Sequence, residues 1–362
     1  QTPNPKPQTP NPKPQTPAFR SNNNSKRMEA LEEVLSKLKG RLNKEEISGV
    51  QSSGYNVSQD LPMADFGKMR KAEHIDTGET VAIKITKKSM LSTPSYLEKF
   101  MHEVESISKV DHPHIVYMYE VIEDSGNICF VEELCDNGRL VDRLLDNGRC
   151  TELQAGKYFW QIISAVEYLH KESIAHRNIR ISSFIFDHLD DIKMIEFRSA
   201  IKCADEKVKM YDEYDLPKNM CPEAVRGEGY NPFKADMWSL GLILYNLLTN
   251  SHPFDKLSNE ELSKRIPIAD IGFPQYLSEF ARKLLRGLLC KDPERRLNTA
   301  QVMDHPWMKA NCPPGYPLKL STTEINYIGL KKMSANFKVD KKFHQTMIDS
   351  LMEGQKNWLT AK

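Results

Sequence analysis

The 362-residue chain has no run of 18 apolar residues, so no helix able to span a bilayer is expected. It has no excess of either charge. Its 50 Lys and Arg stand against 49 Asp and Glu, which leaves nothing global to attract nucleic acid or an anionic membrane. No C-x-x-C pair occurs. The seven cysteines, an odd number, are scattered at positions 129, 135, 150, 203, 221, 290 and 312. That pattern argues against a zinc site and for reduced, mostly core thiols in a cytoplasmic protein. The polar, Pro-rich start does not read as a secretory signal. The apolar 40% of the residues is enough to fill a core, and the length suits one large or two ordinary domains plus tails.

The texture changes several times along the chain. Residues 1–24 open with QTPNPKP, given twice and then cut short. The repeated prolines forbid a helix, so the segment reads as a disordered, extended tail. It serves as a spacer or as a Pro-rich peptide for an aromatic groove. Residues 25–48 carry Met28, Leu31, Leu35, Leu38 and Leu42 at alternating spacings of three and four, an amphipathic helix weakened by Gly40. The helix docks on its own domain, or it pairs two copies through residues 28–42. From Tyr55 onward, β-rich runs come first, at 80–86, 115–124 and 127–134, with a helical segment at 96–110. Helical patterns then dominate, at 151–173, 234–250 and 277–290. Strands early and helices late predict an α+β fold, with a small β-rich lobe beside a larger α-helical lobe. After a linker with Pro313, Pro314 and Pro317, a last helical region is expected within 318–362.

Several short motifs carry more specific information. VAIK ends at Lys84 on an expected strand, and Glu103 lies on the helix that follows. AHRNIR places His176, Arg177 and Asn178 ahead of a strand. CPE stands at 221–223, DMWSLG at 236–241, DPERRL at 292–297 and HPWM at 305–308. In this order and spacing, residues 55–309 resemble a eukaryotic protein kinase domain, with an N-lobe at 55–134 and a C-lobe at 135–309. The nearest resemblance is to the calcium/calmodulin-dependent and AMP-activated group, in particular sperm motility kinases and the maternal embryonic leucine zipper kinase type. Residues 318–362 resemble an incomplete ubiquitin-associated-like helical segment of that group.

The resemblance assigns roles, and several assigned positions hold the wrong residue. The phosphate-covering loop should carry three glycines. Here Pro62 and Ala64 replace two of them and only Gly67 remains. Lys84 and Glu103 are the expected phosphate-gripping pair, or else a purely structural tie between helix and sheet. Asn178 stands where the catalytic Asp belongs and has no basicity. Arg180 keeps the charge of the lysine that steadies the terminal phosphate. Glu196 and Ser183 replace the Asp and Asn that hold magnesium, and Arg198 replaces a glycine. Its cation is expected to pair with Glu196 in place of metal. Asp212 falls at the position of an activating phosphothreonine, either pairing with Arg177 or lying in a solvated acidic loop. Ile107, Met118, His176 and Phe197 take the places of the stacked internal column. Met69, Ala82 and Ile185 take those of the column completed by adenine. Glu132 is the gate beside the adenine pocket, where a carboxylate must find a partner or hold a proton.

The polar machinery is eroded while the fold-defining positions persist. The resemblance therefore implies a pseudokinase that binds other proteins, including an active kinase partner, as scaffold or allosteric regulator. Its pocket is expected to need no cofactor, or to hold ATP and Mg weakly. Two alternatives remain. One is a weak or atypical serine/threonine kinase using Lys84 and Glu196. The other is a switch that binds ATP without turnover.

Overall fold

The computed structural model describes residues 54–312 except 62–67, 77, 93, 108–109, 124–125, 204–206, 213–216 and 269. The Pro-rich tail, the 28–42 stripe, the 318–362 segment and the loop with Pro62, Ala64 and Gly67 all lie outside the described residues.

Five antiparallel strands form the first lobe: β1 (Tyr55–Asp60), β2 (Lys68–His74), β3 (Thr80–Lys87), β4 (Met118–Glu123) and β5 (Asn127–Glu133), in the order β1-β2-β3-β5-β4. Each β-rich run seen in the sequence contributes a strand to this sheet, β3, β4 and β5 in turn. Helix α1 (Pro94–Ile107) intervenes between β3 and β4. One face of the sheet buries Tyr55, Val81, Ile83, Cys129 and Val131 in a compact cluster of their own. Alternation sends the intervening residues, Ala82 and Lys84 on β3 and Phe130 and Glu132 on β5, to the opposite face. Register confirms this, with Ala82 opposite Glu132 and Lys84 opposite Phe130.

The second lobe is helical, as expected. Its main elements are α2 (Leu140–Asn147), α3 (Glu152–Lys171), α4 (Pro222–Val225), α5 (Pro232–Thr249), α6 (Asn259–Arg265), α7 (Glu279–Leu288), α8 (Thr299–Met303) and α9 (Pro306–Asn311). Local sequence sets their starts. Thr151 caps α3 by accepting from the Gln154 amide at 3.2 Å. Asn231 caps α5 in the same way at 3.1 Å from Lys234, with Pro232 pre-shaping the first turn. Helices α3 and α5 are buried on nearly every side and form the centre of one apolar core with Trp160, Trp238 and Trp307. Short strand pairs lie on this base. β7 (Phe184–Phe186) pairs with β8 (Ile192–Met194), and β6 (Ile174–Ala175) with β9 (Ile201–Lys202). They hold the 176–183 and 195–200 loops side by side, facing the sheet.

No disulfide joins any of the seven cysteines, and four of them are buried. Among the described residues, no helix is long and apolar enough to cross a membrane.

Candidate nucleotide-binding cleft

A cleft of about 570 Å³ lies between the two lobes, within the ~300–1,000 Å³ typical of small-ligand sites. Met69, Ala82, Val116, Ile185 and Ile195 supply apolar wall. Lys84 enters from β3 with its Nζ 5.5 Å from the Phe130 ring centroid, and it is ion-paired with Glu103 of α1. The second Glu103 oxygen accepts from Nε of Arg198 at 3.2 Å. The Arg198 guanidinium also lies 5.4 Å from the ring centroid of Tyr96, two turns away on α1.

This corrects one expectation. Arg198 pairs with Glu103, not with Glu196. The residue sits in a tight turn, Phe197–Ser199, that packs against α1, so its side chain reaches the helix before it could reach the loop below. It staples α1 to the helical lobe.

Glu196 has φ 72° and ψ 56°, left-handed values that cost an ordinary residue roughly 1–2 kcal/mol. The turn aims its carboxylate at the 176–183 loop. There Oε2 accepts from Arg180 at 3.1 Å, from the Asn178 amide at 3.3 Å and from the Ser183 hydroxyl at 3.3 Å. The shorter bond of that hydroxyl, 2.8 Å, goes to the Asn178 carbonyl. The structure thus brings Asn178, Arg180, Ser183 and Glu196 together, with Asn178 and Arg180 each donating to the Glu196 carboxylate. The other oxygen of Glu196, Oε1, is buried and has no hydrogen-bond partner. A hard divalent cation takes oxygen ligands. The fit for magnesium therefore runs through Oε1 alone, because Oε2 already faces a guanidinium. The fit for phosphate oxygens rests on Lys84 and Arg180.

The loop is braced from below by a residue whose role was not apparent in the sequence. Asp236, in the first turns of α5, is 1% exposed and accepts from the amides of His176 at 2.9 Å and Arg177 at 2.8 Å. Its Oδ2 also lies 2.9 Å from Nε2 of His170. Arg177 has φ 62°, and that left-handed turn delivers two successive N–H groups to one carboxylate. The motif DMWSLG contains this Asp, but only the fold shows what it accepts from. His176 itself is fully buried, stacks edge-on against Phe197 with centroids 4.8 Å apart, and has its pKa lowered by desolvation. Ile107, Met118 and Phe197 are buried in the same core cluster.

Of the two readings of Asp212, the structure makes the pair. Its carboxylate meets the buried Arg177 side chain and accepts from the Tyr230 hydroxyl at 2.9 Å. Tyr230 was not among the expected partners. Lower in the lobe, Arg296 of DPERRL forks onto both oxygens of Glu223 of CPE at 2.8 and 2.9 Å, with both side chains buried.

Glu132 lines the inner end of the cleft and is 5% exposed. Desolvation pushes its pKa up to about 7, and Glu103 adds to the rise, while Lys84 and Arg198 oppose it.

Comparison with known proteins places these features in a family. Residues 55–308 match the protein kinase domain. Two similar proteins are serine/threonine-protein kinase SIK2 of Gallus gallus, 34% identical over 274 residues, and serine/threonine-protein kinase SIK1 of Rattus norvegicus, 34% identical over 258 residues. The alignments cover 75% and 71% of this chain but 34% and 33% of those proteins, so the chain spans about a third of the length of the relatives it matches.

Proposed function

The chain belongs to the protein kinase family, and from that premise we propose that it is a catalytically impaired member that acts by binding other proteins, as scaffold or as allosteric regulator of an active kinase in the cytoplasm. One observation carries the reading. The base position holds Asn178, whose amide donates to Glu196 instead of accepting from a substrate hydroxyl. Loss of a positioned general base typically costs ~10²–10⁴ in rate. The Arg180 and Asn178 donors on Glu196 Oε2 further blunt the carboxylate on which metal-assisted transfer would depend. Meanwhile the parts that set shape are intact: the Lys84–Glu103 pair, the His176–Phe197 stack, the Asp236 brace and the Arg177–Asp212 pair. A fold kept in its assembled arrangement without a base suits recognition better than turnover.

A second reading, nucleotide binding with little or no transfer, is favoured by the unpartnered Oε1 of Glu196 beside an intact Lys84. ATP would be held by Lys84 and Arg180, with magnesium at Oε1; when bound, the ion would screen the phosphate charge. The relatives, named as serine/threonine-protein kinases, support a weak kinase as the limit of this reading. Purified chain mixed with Mg-ATP separates the cases. No transfer and no thermal shift support the scaffold, and a shift without transfer supports the nucleotide switch. Turnover in the ordinary kinase range of about 1–100 s⁻¹ would refute both.

A further inference from the structure

Glu132 is a buried carboxylate that faces a ligand cleft and has no assigned work. It lies opposite Ala82 on β3 and Met118 on β4, so its side chain shares the cleft face of the sheet with Ala82 and Lys84. Among the described residues, no ion pair or hydrogen bond engages its carboxylate. The nearby cations are committed elsewhere, since Lys84 and the Nε of Arg198 both meet Glu103. A buried carboxylate without a partner is costly, and a bound group that donates to it removes that cost.

We propose that Glu132 makes the inner end of the cleft selective for a ligand with an amidinium-type head, a planar cation with two parallel N–H donors, carried on a flat apolar body. The fork matches a carboxylate as Arg does. The body fits between Ala82 and Ile185, which line the same space. A simple counter-ion role for Glu132, balancing the extra charge of Arg198, would show as contact with Lys84 or Arg198, and both of those cations contact Glu103 instead. The inference rests on the cleft being a small-molecule site and is independent of whether phosphate is transferred.

The charged state of Glu132 gives the proposal a signature. Its surroundings are Lys84 from β3, Glu103 from α1, Arg198 from the turn after β8, and Cys135 just beyond β5, whose thiol is pushed well above the usual range. With its pKa at about 7, Glu132 passes from about one-tenth to about nine-tenths ionised between pH 6 and pH 8. An amidinium ligand requires the ionised form. A neutral carboxamide of the same shape, which both donates and accepts, suits the protonated form.

The test uses 2-naphthamidine and 2-naphthamide, titrated calorimetrically into the wild-type chain at pH 6, 7 and 8. The expected result is an amidine affinity that rises about tenfold from pH 6 to pH 8 and an amide affinity that falls about tenfold, so that the preference for the amidine rises about a hundredfold. Its binding at pH 7 should release about half a proton, read from buffers of different ionisation enthalpy. Glu132→Gln is expected to abolish both the pH dependence and the proton release. A preference independent of pH with no proton release, or no binding of either compound, overturns the proposal even if the variant fails to fold. Neither result bears on the phosphate-transfer assay that decides the function above.

Discussion

Replacing Glu132 with Gln in the ligand-free protein is expected to stabilise it, and only at neutral and alkaline pH. The residue is 5% exposed, and desolvation moves its pKa from 4.5 in the unfolded chain to about 7 in the folded one. The folded form therefore holds this proton more tightly. The resulting stabilisation is complete below pH 4.5 and is lost as pH rises through about 7. A difference of about 2.5 pKa units corresponds to about 3 kcal/mol at full ionisation, of which roughly 2–3 kcal/mol falls between pH 5 and pH 8. Gln has nearly the same shape and no such transition. The buried histidines that also titrate abnormally, His112 at about 2 and His114 and His252 at about 4, are common to both proteins. They cancel in the difference. Urea unfolding at pH 5, 6, 7 and 8 measures it directly. The Gln variant should gain on the wild type by about 2–3 kcal/mol across that range. Two stability curves that stay parallel would show that Glu132 is ionised throughout, with a partner the geometry does not reveal.

Three other substitutions probe the remaining tiers. Asn178→Asp is expected to give no phosphate transfer, because the new carboxylate arrives at the 3.3 Å contact that Asn178 now makes with Glu196. Two like charges there raise each other's proton affinity, and a burst of transfer in this single variant would sink the account. Glu223→Ala strands the fully buried Arg296 guanidinium. Breaking a buried pair in this way costs about 3–5 kcal/mol, and a loss under about 1 kcal/mol by denaturant midpoint would contradict it. Although burial pushes the Glu223 pKa up, the Arg296 bonds outweigh it and hold it below the ordinary value. This stabilisation is therefore present above about pH 4.5 and fades as pH falls below it. Asp212→Asn removes the charge facing Arg177 but keeps an acceptor for Tyr230. Half of the Asp212 side chain is exposed, so the global loss should be only about 1 kcal/mol. The sharper readout is faster hydrogen exchange at the Met210 amide, which bonds the Tyr230 carbonyl at 2.9 Å. Unchanged protection there would mean that Asp212 does not order the segment.

The fold was legible because its signals are local and redundant. The β-rich run over 80–86 and the helical patterns over 151–173 and 234–250 each act within a short stretch of chain. The substitutions in the cleft were legible for a different reason: a position expected to hold Asp either does or does not. What could not be read was the destination of each long polar side chain. Arg198 is expected to pair with Glu196 in place of metal, yet the turn at 197–199 lies against α1 and offers Glu103 and Tyr96 first. Asp236 looked like a motif residue until Arg177, at positive φ, was seen to present it with two amides. Both cases turn on backbone geometry that no side-chain pattern encodes. They also bear on function. The replaced residues have not left a hole. Arg180, Asn178 and Ser183 close on Glu196, and Arg198 closes on Glu103. A site merely released from its former chemistry would be expected to leave polar groups at odds with one another, because unpaired buried groups are costly. Here the substituted residues find partners at two points, one among themselves and one on the retained Glu103, and the polar atoms left over, Oε1 of Glu196 and the Glu132 carboxylate, both sit at the cleft, where a bound molecule would reach them.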